Sequence, residues 1–271
     1  MPVTEANNTR LWQRRTTTRQ LVIWFAWLVS AAIFVYCWQL ISEKTIWFFV
    51  TDAPTQAADM ADRMFPPKWE YAAKIWIPLW DTINIATLGT IIALVLAVPT
   101  AFCAARNTTP SRLLVRPVAL FIIVSSRSIN SLIWALLLVS ILGPGLLAGI
   151  IAIALRSIGF VGKLLYEAIE ETDASQTEAI EATGASGGQV LIYGYWPQIA
   201  PAFWGISVFR WDINIRESAV LGLVGAGGLG LQLQASLNVL AWPQVTTILL
   251  VILATVVFSE WVSAKVRHAI I

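Results

Sequence analysis

The chain of 271 residues is 57% hydrophobic and only 13% charged, with 14 tryptophans and a net charge of +2. Ordinary soluble domains carry roughly 25% charged residues, so this balance excludes a water-soluble chain and predicts an all-α integral membrane protein without a basic face for nucleic acid. The single histidine is His268, near the C-terminus, and Cys37 and Cys103 both fall in apolar runs. That pattern argues against a metal or histidine-built catalytic centre and predicts buried free thiols.

Residues 1–19 form a tail with Arg10, Arg14, Arg15 and Arg19. The apolar run from about Leu21 to Ile41 (residues 20–42 with its flanks) is long enough to cross ~30 Å of hydrocarbon. It is too long for a signal-peptide core and lacks a small-residue cleavage site, so it reads as a retained first transmembrane helix. Residues 43–80 make a mixed-charge connector whose Trp47, Trp69, Trp76 and Trp80 suit a helix lying at the membrane surface.

Residues 81–267 read as a membrane core that brings the total to six spans. The second span covers about Thr82 to Ala105, with Pro99 as a kink, and the third Leu113 to Leu142, broken near Arg127. The fourth runs from Leu146 to Tyr166 after the Gly143-Pro144-Gly145 turn. The fifth covers Ile199 to Val224 and the sixth Val245 to Val266, leaving 268–271 as a tail. With an even number of spans, three basic segments share one side: the N-terminal tail, the loop with Arg106, Arg112 and Arg116, and the C-terminus with Lys265 and Arg267. The positive-inside rule makes that side cytoplasmic.

Between the fourth and fifth spans lies the polar stretch 175–197, SQTEAIEATGASGGQVLIYGYWP. Ser175 with Glu178, and Ser186 with Gln189, have capping-box spacing. Gly184 suits a left-handed helix end, and Pro197 cannot continue a helix interior. The sequence therefore predicts two short cytoplasmic helices with a tight corner at Gly184 to Gly188. From Glu167 to Pro197 there are six acids and no base. An acidic face on the inner side suits a soluble protein partner better than anionic lipid headgroups.

Charged residues also fall inside the predicted spans: Arg127, Arg156, Arg210, Asp212, Arg216 and Glu217. Each costs at least ~2.5 kcal/mol at mid-membrane, so such residues face a bundle interior or a wet path. Asp212 and Arg216 are spaced i, i+4 and can pair on one face. Structural ion pairing between helices is one reading of the set, with Asp212 and Glu217 as the pairing acids. The other is an electropositive path for a small oxyanion lined by Arg127, Arg156, Arg210 and Arg216, since the guanidinium fork binds two oxygens at once.

Gly225-Ala226-Gly227-Gly228-Leu229-Gly230 formally matches G-x-G-x-x-G. It follows a span rather than a strand, and the next acid is Glu260, so it reads as flexible backbone closing the extracytoplasmic end of the fifth span. The run Gly159 to Leu164 lacks the first glycine and the Ser/Thr of a phosphate loop. The chain therefore carries no ATPase machinery and no cofactor of its own.

The segment EAIEATGAS followed by Trp196-Pro197 resembles the Glu-Ala-Ala…Gly…Pro loop of permease subunits in binding-protein-dependent ABC importers. The pattern falls on Glu178, Ala179, Gly184 and Pro197, with Ile180 in place of the third small residue. Two further segments, Asn214 to Gly230 (NIRESAVLGLVGAGGLG) and Ser126 to Val139 (SRSINSLIWALLLV), are similar to phosphonate importer permeases, although Asn130 stands where proline is common. The resemblance spans about Asp81 to Arg267. It implies a type I importer permease in an inner membrane, working as two copies with two ATPase subunits and an extracytoplasmic phosphonate-binding protein. ATP and Mg would sit in the ATPase partner. Ser175, Glu178, Ala179, Glu181, Gly184 and Pro197 would belong to the coupling helices, and Gly225, Gly227, Gly228 and Gly230 to an extracytoplasmic gate or hinge. Phosphonate, phosphite or a phosphate ester is the implied cargo. A permease for another small solute is the alternative, and a channel or a membrane enzyme fits less well.

Overall fold

The computed structural model describes residues 3–6, 9–12 and 17–270. Arg14 and Arg15 of the basic tail, and Ile271 of the C-terminal tail, lie outside the described residues. The chain divides into two units, Met1–Asp62 and Arg63–Ile271.

The first unit opens with an antiparallel strand pair, β1 (Val3–Ala6) and β2 (Thr9–Trp12), in which Val3 lies opposite Trp12. Nothing in the tail's composition announces it. Helix α1 (Thr17–Lys44) follows, then α2 (Trp47–Met64), which ends just past the boundary and buries none of its residues. Along α1, Leu21, Trp24, Phe25, Trp27 and Phe34 are all more than half exposed. Cys37 is exposed as well, which corrects its expected burial, while Cys103 is half-buried; both are free thiols. An apolar stretch in a membrane chain can turn its side chains to lipid instead of protein, so hydrophobicity alone does not place a thiol inside.

The second unit is helical. A short 3₁₀ turn (Trp69–Ala73) precedes α3 (Trp76–Ala104), so Trp76 and Trp80 already belong to the span and not to the connector. Pro99 does not end α3. One face of this helix is a run of small residues, Ala86, Gly89, Ala93, Ala97, Ala101 and Ala104, all buried. Against it lies α6 (Leu146–Glu170), which brings its own small residues Gly149 and Ala152, while its Gly159 and Gly162 turn toward Ile123 of the helix that follows α3. Between membrane helices small residues substitute close packing for a missing hydrophobic drive. The approach is tight enough that a Cβ on Gly89 would stand 2.7 Å from Ile153 Cγ2.

Two spans are bent. Helix α4 (Val115–Ser128) meets α5 (Ser131–Leu142) at 90°, with Asn130 as the cap whose carboxamide oxygen accepts from Leu132 N. Asparagine thus starts a new helix where proline is common, by offering a side-chain acceptor and not by removing a donor. The polar stretch holds α7 (Ala174–Glu181). Beyond it a helical turn α8 (Gly187–Gln189), a π turn (Val190–Tyr195) and α9 (Trp196–Leu221) follow without a break. After a 3₁₀ turn (Gly222–Val224), α10 (Gly228–Asn238) bends away by 42°, and α11 (Trp242–Ile270) ends the chain. Among the described residues four helices, α1, α3, α6 and α11, are long and apolar enough to cross a membrane, and up to six spans result if each bent pair counts as one.

Candidate functional site

The polar stretch departs from its predicted form in two respects. The cap of α7 is Asp173 and not Ser175: Asp173 Oδ1 accepts from Ser175 N at 2.9 Å and from Ser175 Oγ at 2.8 Å. Aspartate competes well for a cap, which moves the helix start two residues upstream of the expected box. Those two hydrogen bonds, the backbone one foremost, hold the Asp173 carboxyl below the usual carboxylate range. The second box is as expected, with Ser186 N donating to Gln189 Oε1 at 2.7 Å. Its helix, however, is not a separate element. It continues through the π turn into α9, so Pro197, in the first turn of α9, lies inside a continuous helical run and does not end it as expected; the wide π turn just before it accommodates the missing N–H. Gly184 has φ +81°, the left-handed end that the sequence calls for.

Ser175, Glu178, Ala179, Glu181, Gly184 and Pro197 are all exposed. Beneath them Thr177 packs on Gly194, where an added Cβ would lie 3.2 Å from Thr177 Cγ2. Val190, Tyr195, Ile199 and Phe203 join Ala101, Leu165 and Ile169 in one core. A residue that sequence reasoning missed ties the two parts together. Gln198 of α9 accepts from Asp173 N at 3.0 Å and donates to Gly194 O at 2.9 Å, stapling the start of α7 to the π turn. The acidic row is smaller than its sequence suggests, since Glu170 pairs with Arg106 (3.8 Å) and Arg116 (3.7 Å), and Glu167 with Lys163 (3.4 Å). Glu171, Glu178 and Glu181 are left exposed, with no ion pair among the described residues.

The intramembrane charges fall into two clusters on α9, separated by the helix period. Arg210, Asn214 and Glu217 share one face. Arg210 is 2% exposed: its Nε donates to Ser157 Oγ at 2.9 Å, its fork lies 5.1 Å over the Phe160 ring, and it pairs with Glu217 at 3.4 Å. Asn214 donates to Thr90 Oγ1 at 2.7 Å and to Ser157 Oγ at 3.1 Å. Arg156 of α6 pairs with the other oxygen of Glu217 at 3.0 Å and donates to Asn130 Oδ1 and Ser131 Oγ, both at 3.1 Å. In the second cluster Arg216 pairs with Asp212, which also accepts from Ser259 Oγ of α11 at 2.7 Å.

The four arginines expected to act together are thus differently placed. Arg156 and Arg216, with Glu217, Asn130 and Ser131, line an open cleft of about 270 Å³. Arg210 lies behind it in the packed interior. Arg127, in the last turn of α4, is exposed and makes no hydrogen bond or ion pair among the described residues. Its stem packs over α6, where a Cβ on Gly159 would stand 2.7 Å from Arg127 Cγ. Sequence reading gave Asn214, Ser157 and Asn130 no part in the site because each is polar but uncharged. Asn214 could have been found from its i, i+4 spacing to Arg210 in an otherwise apolar helix.

The glycine segment forms a packed corner between α9 and α10. Gly225, Gly227 and Gly228 have φ of +91°, +86° and +71°. A Cβ on Gly230 would stand 2.1 Å from Ala219 O. Gly225 O accepts from Gly145 N of the Gly-Pro-Gly turn at 3.0 Å, and Leu229 N donates to Thr82 Oγ1 at 2.8 Å. The backbone N–H of Leu229 is therefore already engaged, and Ala226 and Leu229 are fully buried.

Residues 89–267 match the family model described as binding-protein-dependent transport system inner membrane component. Over 243 residues the chain is 38% identical to the phosphite transport system permease protein of Stutzerimonas stutzeri, covering 89% of this chain and 86% of that protein. It is 40% identical over 220 residues to the phosphate-import permease protein of Mycolicibacterium smegmatis, covering 81% of this chain but 41% of the relative. Among solved structures, the inward-facing MetNI methionine ABC transporter aligns with a TM-score of 0.65 at 18% identity, over 75% of this chain and 99% of that one. The chain belongs to the inner membrane components of binding-protein-dependent transport systems.

Proposed function

We propose that this chain is the membrane permease of an ATP-driven importer for phosphonate or a related small oxyanion such as phosphite or a phosphate ester. The observation that carries the cargo class is the 38% identity along nearly the whole of a phosphite permease. The surplus of intramembrane arginine over acid supports it, because guanidinium forks match tetrahedral oxyanions. Two copies of the chain would form the path, with both termini cytoplasmic. Two ATPase subunits holding ATP and Mg would grip the stretch 175–197, and an extracytoplasmic binding protein would deliver cargo. This chain itself would hold no cofactor. ATP-driven closure of the ATPases moves α7, Gln198 carries the motion into α9, and the bundle shifts between inward- and outward-open populations. The glycine corner at Gly225 to Gly230 acts as a fixed point at the extracytoplasmic side. A different small solute is the second reading, favoured by 26% identity over 176 residues to a probable D-methionine permease of Pasteurella multocida.

The test is reconstitution of the permease with its ATPase and binding protein in vesicles. Phosphite- or phosphonate-stimulated ATP hydrolysis with uptake is expected, and stimulation by methionine alone would overturn the cargo class. Gly184→Pro or Glu178→Lys should leave the permease inserted but uncoupled, and full stimulated uptake by both would remove the coupling assignment. Arg127→Ala and Arg216→Ala should abolish uptake in an assembled complex, whereas undiminished uptake by both would leave these arginines a structural role.

A further inference from the structure

Glu217 holds two guanidinium groups at once, one on each carboxylate oxygen, at 3.0 Å to Arg156 and 3.4 Å to Arg210. This is the arrangement that two oxygens of a phosphonate would adopt between the same forks. The two arginines are not equivalent. Arg210 is 2% exposed and anchored by Ser157 and Phe160, so it is unreachable from the cleft. The Arg156 side chain is 32% exposed and lines the cleft, and its remaining contacts, Asn130 Oδ1 and Ser131 Oγ, are neutral. Also lining the cleft is Arg216, with a side chain 48% exposed and a charge countered by Asp212. The cleft volume of about 270 Å³ lies just below the roughly 300–1,000 Å³ of cavities for drug-sized molecules, and so suits a small ion.

We infer that Glu217 is a resident counter-anion of the cargo site, standing on Arg156 until a tetrahedral oxyanion displaces it. The inference rests on the oxyanion cargo proposed above. When cargo enters between Arg156 and Arg216, one carboxylate oxygen leaves Arg156 while the other stays on Arg210, so the buried guanidinium never loses its partner. The arrangement also selects. A carboxylate solute offers Arg156 nothing that the tethered Glu217 does not already supply, and it carries the entropy cost of binding from solution. A dianionic oxyanion supplies more charge and a third oxygen, and so displaces Glu217. Glu217 thereby becomes a specificity-determining residue that rejects carboxylates, and it keeps the empty path from holding stray anions.

The experiment measures anion binding by the purified permease–ATPase complex in nanodiscs without binding protein, using phosphite, methylphosphonate, sulfate and acetate as probes. Glu217→Gln should tighten phosphite and methylphosphonate binding at least tenfold and admit acetate, which the native complex excludes. Adding Arg156→Gln to that variant should abolish the gain. Because Glu217→Gln strips Arg210 of its counter-ion, the double variant Arg210→Gln, Glu217→Gln serves as a charge-balanced second test and should show the same gain. If neither variant binds any of the four anions more tightly than the native complex, the inference is overturned. A gain confined to sulfate and acetate would uphold the counter-anion while overturning the phosphorus cargo. Normal phosphite uptake without any gain in binding would do the reverse.

Discussion

Replacing Gln198 by alanine tests whether α7 moves α9 through a defined staple. The side chain makes two good bonds, accepting from Asp173 N at 3.0 Å and donating to Gly194 O at 2.9 Å. Each is worth about 0.5–1.5 kcal/mol net, and partial exposure places the pair in the lower half, about 1–2 kcal/mol together. A loss of that size raises the detached population of α7 by a factor of roughly 5–30. The core under the loop, from Leu165 to Phe203, is untouched, so the complex should still assemble and hydrolyse ATP. The assay is cargo transported per ATP hydrolysed in reconstituted vesicles, where a several-fold fall is expected. Gln198→Glu keeps the acceptor for Asp173 N, loses the donor to Gly194 O, and should fall between. An unchanged coupling ratio in Gln198→Ala, with normal assembly, would refute the staple.

Gly230→Ala should prevent a stable detergent-solubilised fold on size-exclusion chromatography, because the new Cβ meets Ala219 O at 2.1 Å, while Gly205→Ala, with open space around it, should elute as the native protein does. Ser157→Ala removes the acceptor of a buried guanidinium N–H and should cost about 1–3 kcal/mol, read as a lower Tm in detergent; an unchanged Tm would show that Arg210 finds another acceptor. Asp173 has a depressed pKa, so its cap contribution is complete at neutral pH and is lost as pH falls through the folded value, below the ordinary value near ~3.9. Amide exchange in 174–178, corrected for intrinsic rate, should rise on that acid side, and Asp173→Asn should flatten the dependence.

The spans and the exposed polar stretch were legible in the sequence because hydropathy and glycine placement are local signals. The break was expected near Arg127 and falls at Ile129–Asn130, because a capping carboxamide, which no proline announces, starts the second half. Ser175 and Asp173 show the limit of a spacing rule, since both are good caps and only the chain's path decides between them. The pairing of the intramembrane charges was out of reach for another reason. Arg156 and Glu217 are far apart in sequence, and they meet only because α6 and α9 cross, which is a property of the whole bundle and not of either segment. Cys37 failed because sequence does not distinguish a side chain turned to lipid from one turned to protein.

The π turn at Val190–Tyr195 sets an angle. Trp196 N reaches back to Leu191 O, five residues away, so one residue more than an α turn is wound in before α9 begins. An α-helix rotates by about 100° per residue, so that residue fixes the azimuth of everything downstream relative to α7. Deleting a single position within 190–195 would swing Arg210, Asn214 and Glu217 about a quarter of the way round the helix without changing one of their side chains. The wide turn is a phase setting: it decides which side of α9 faces the interior of the bundle.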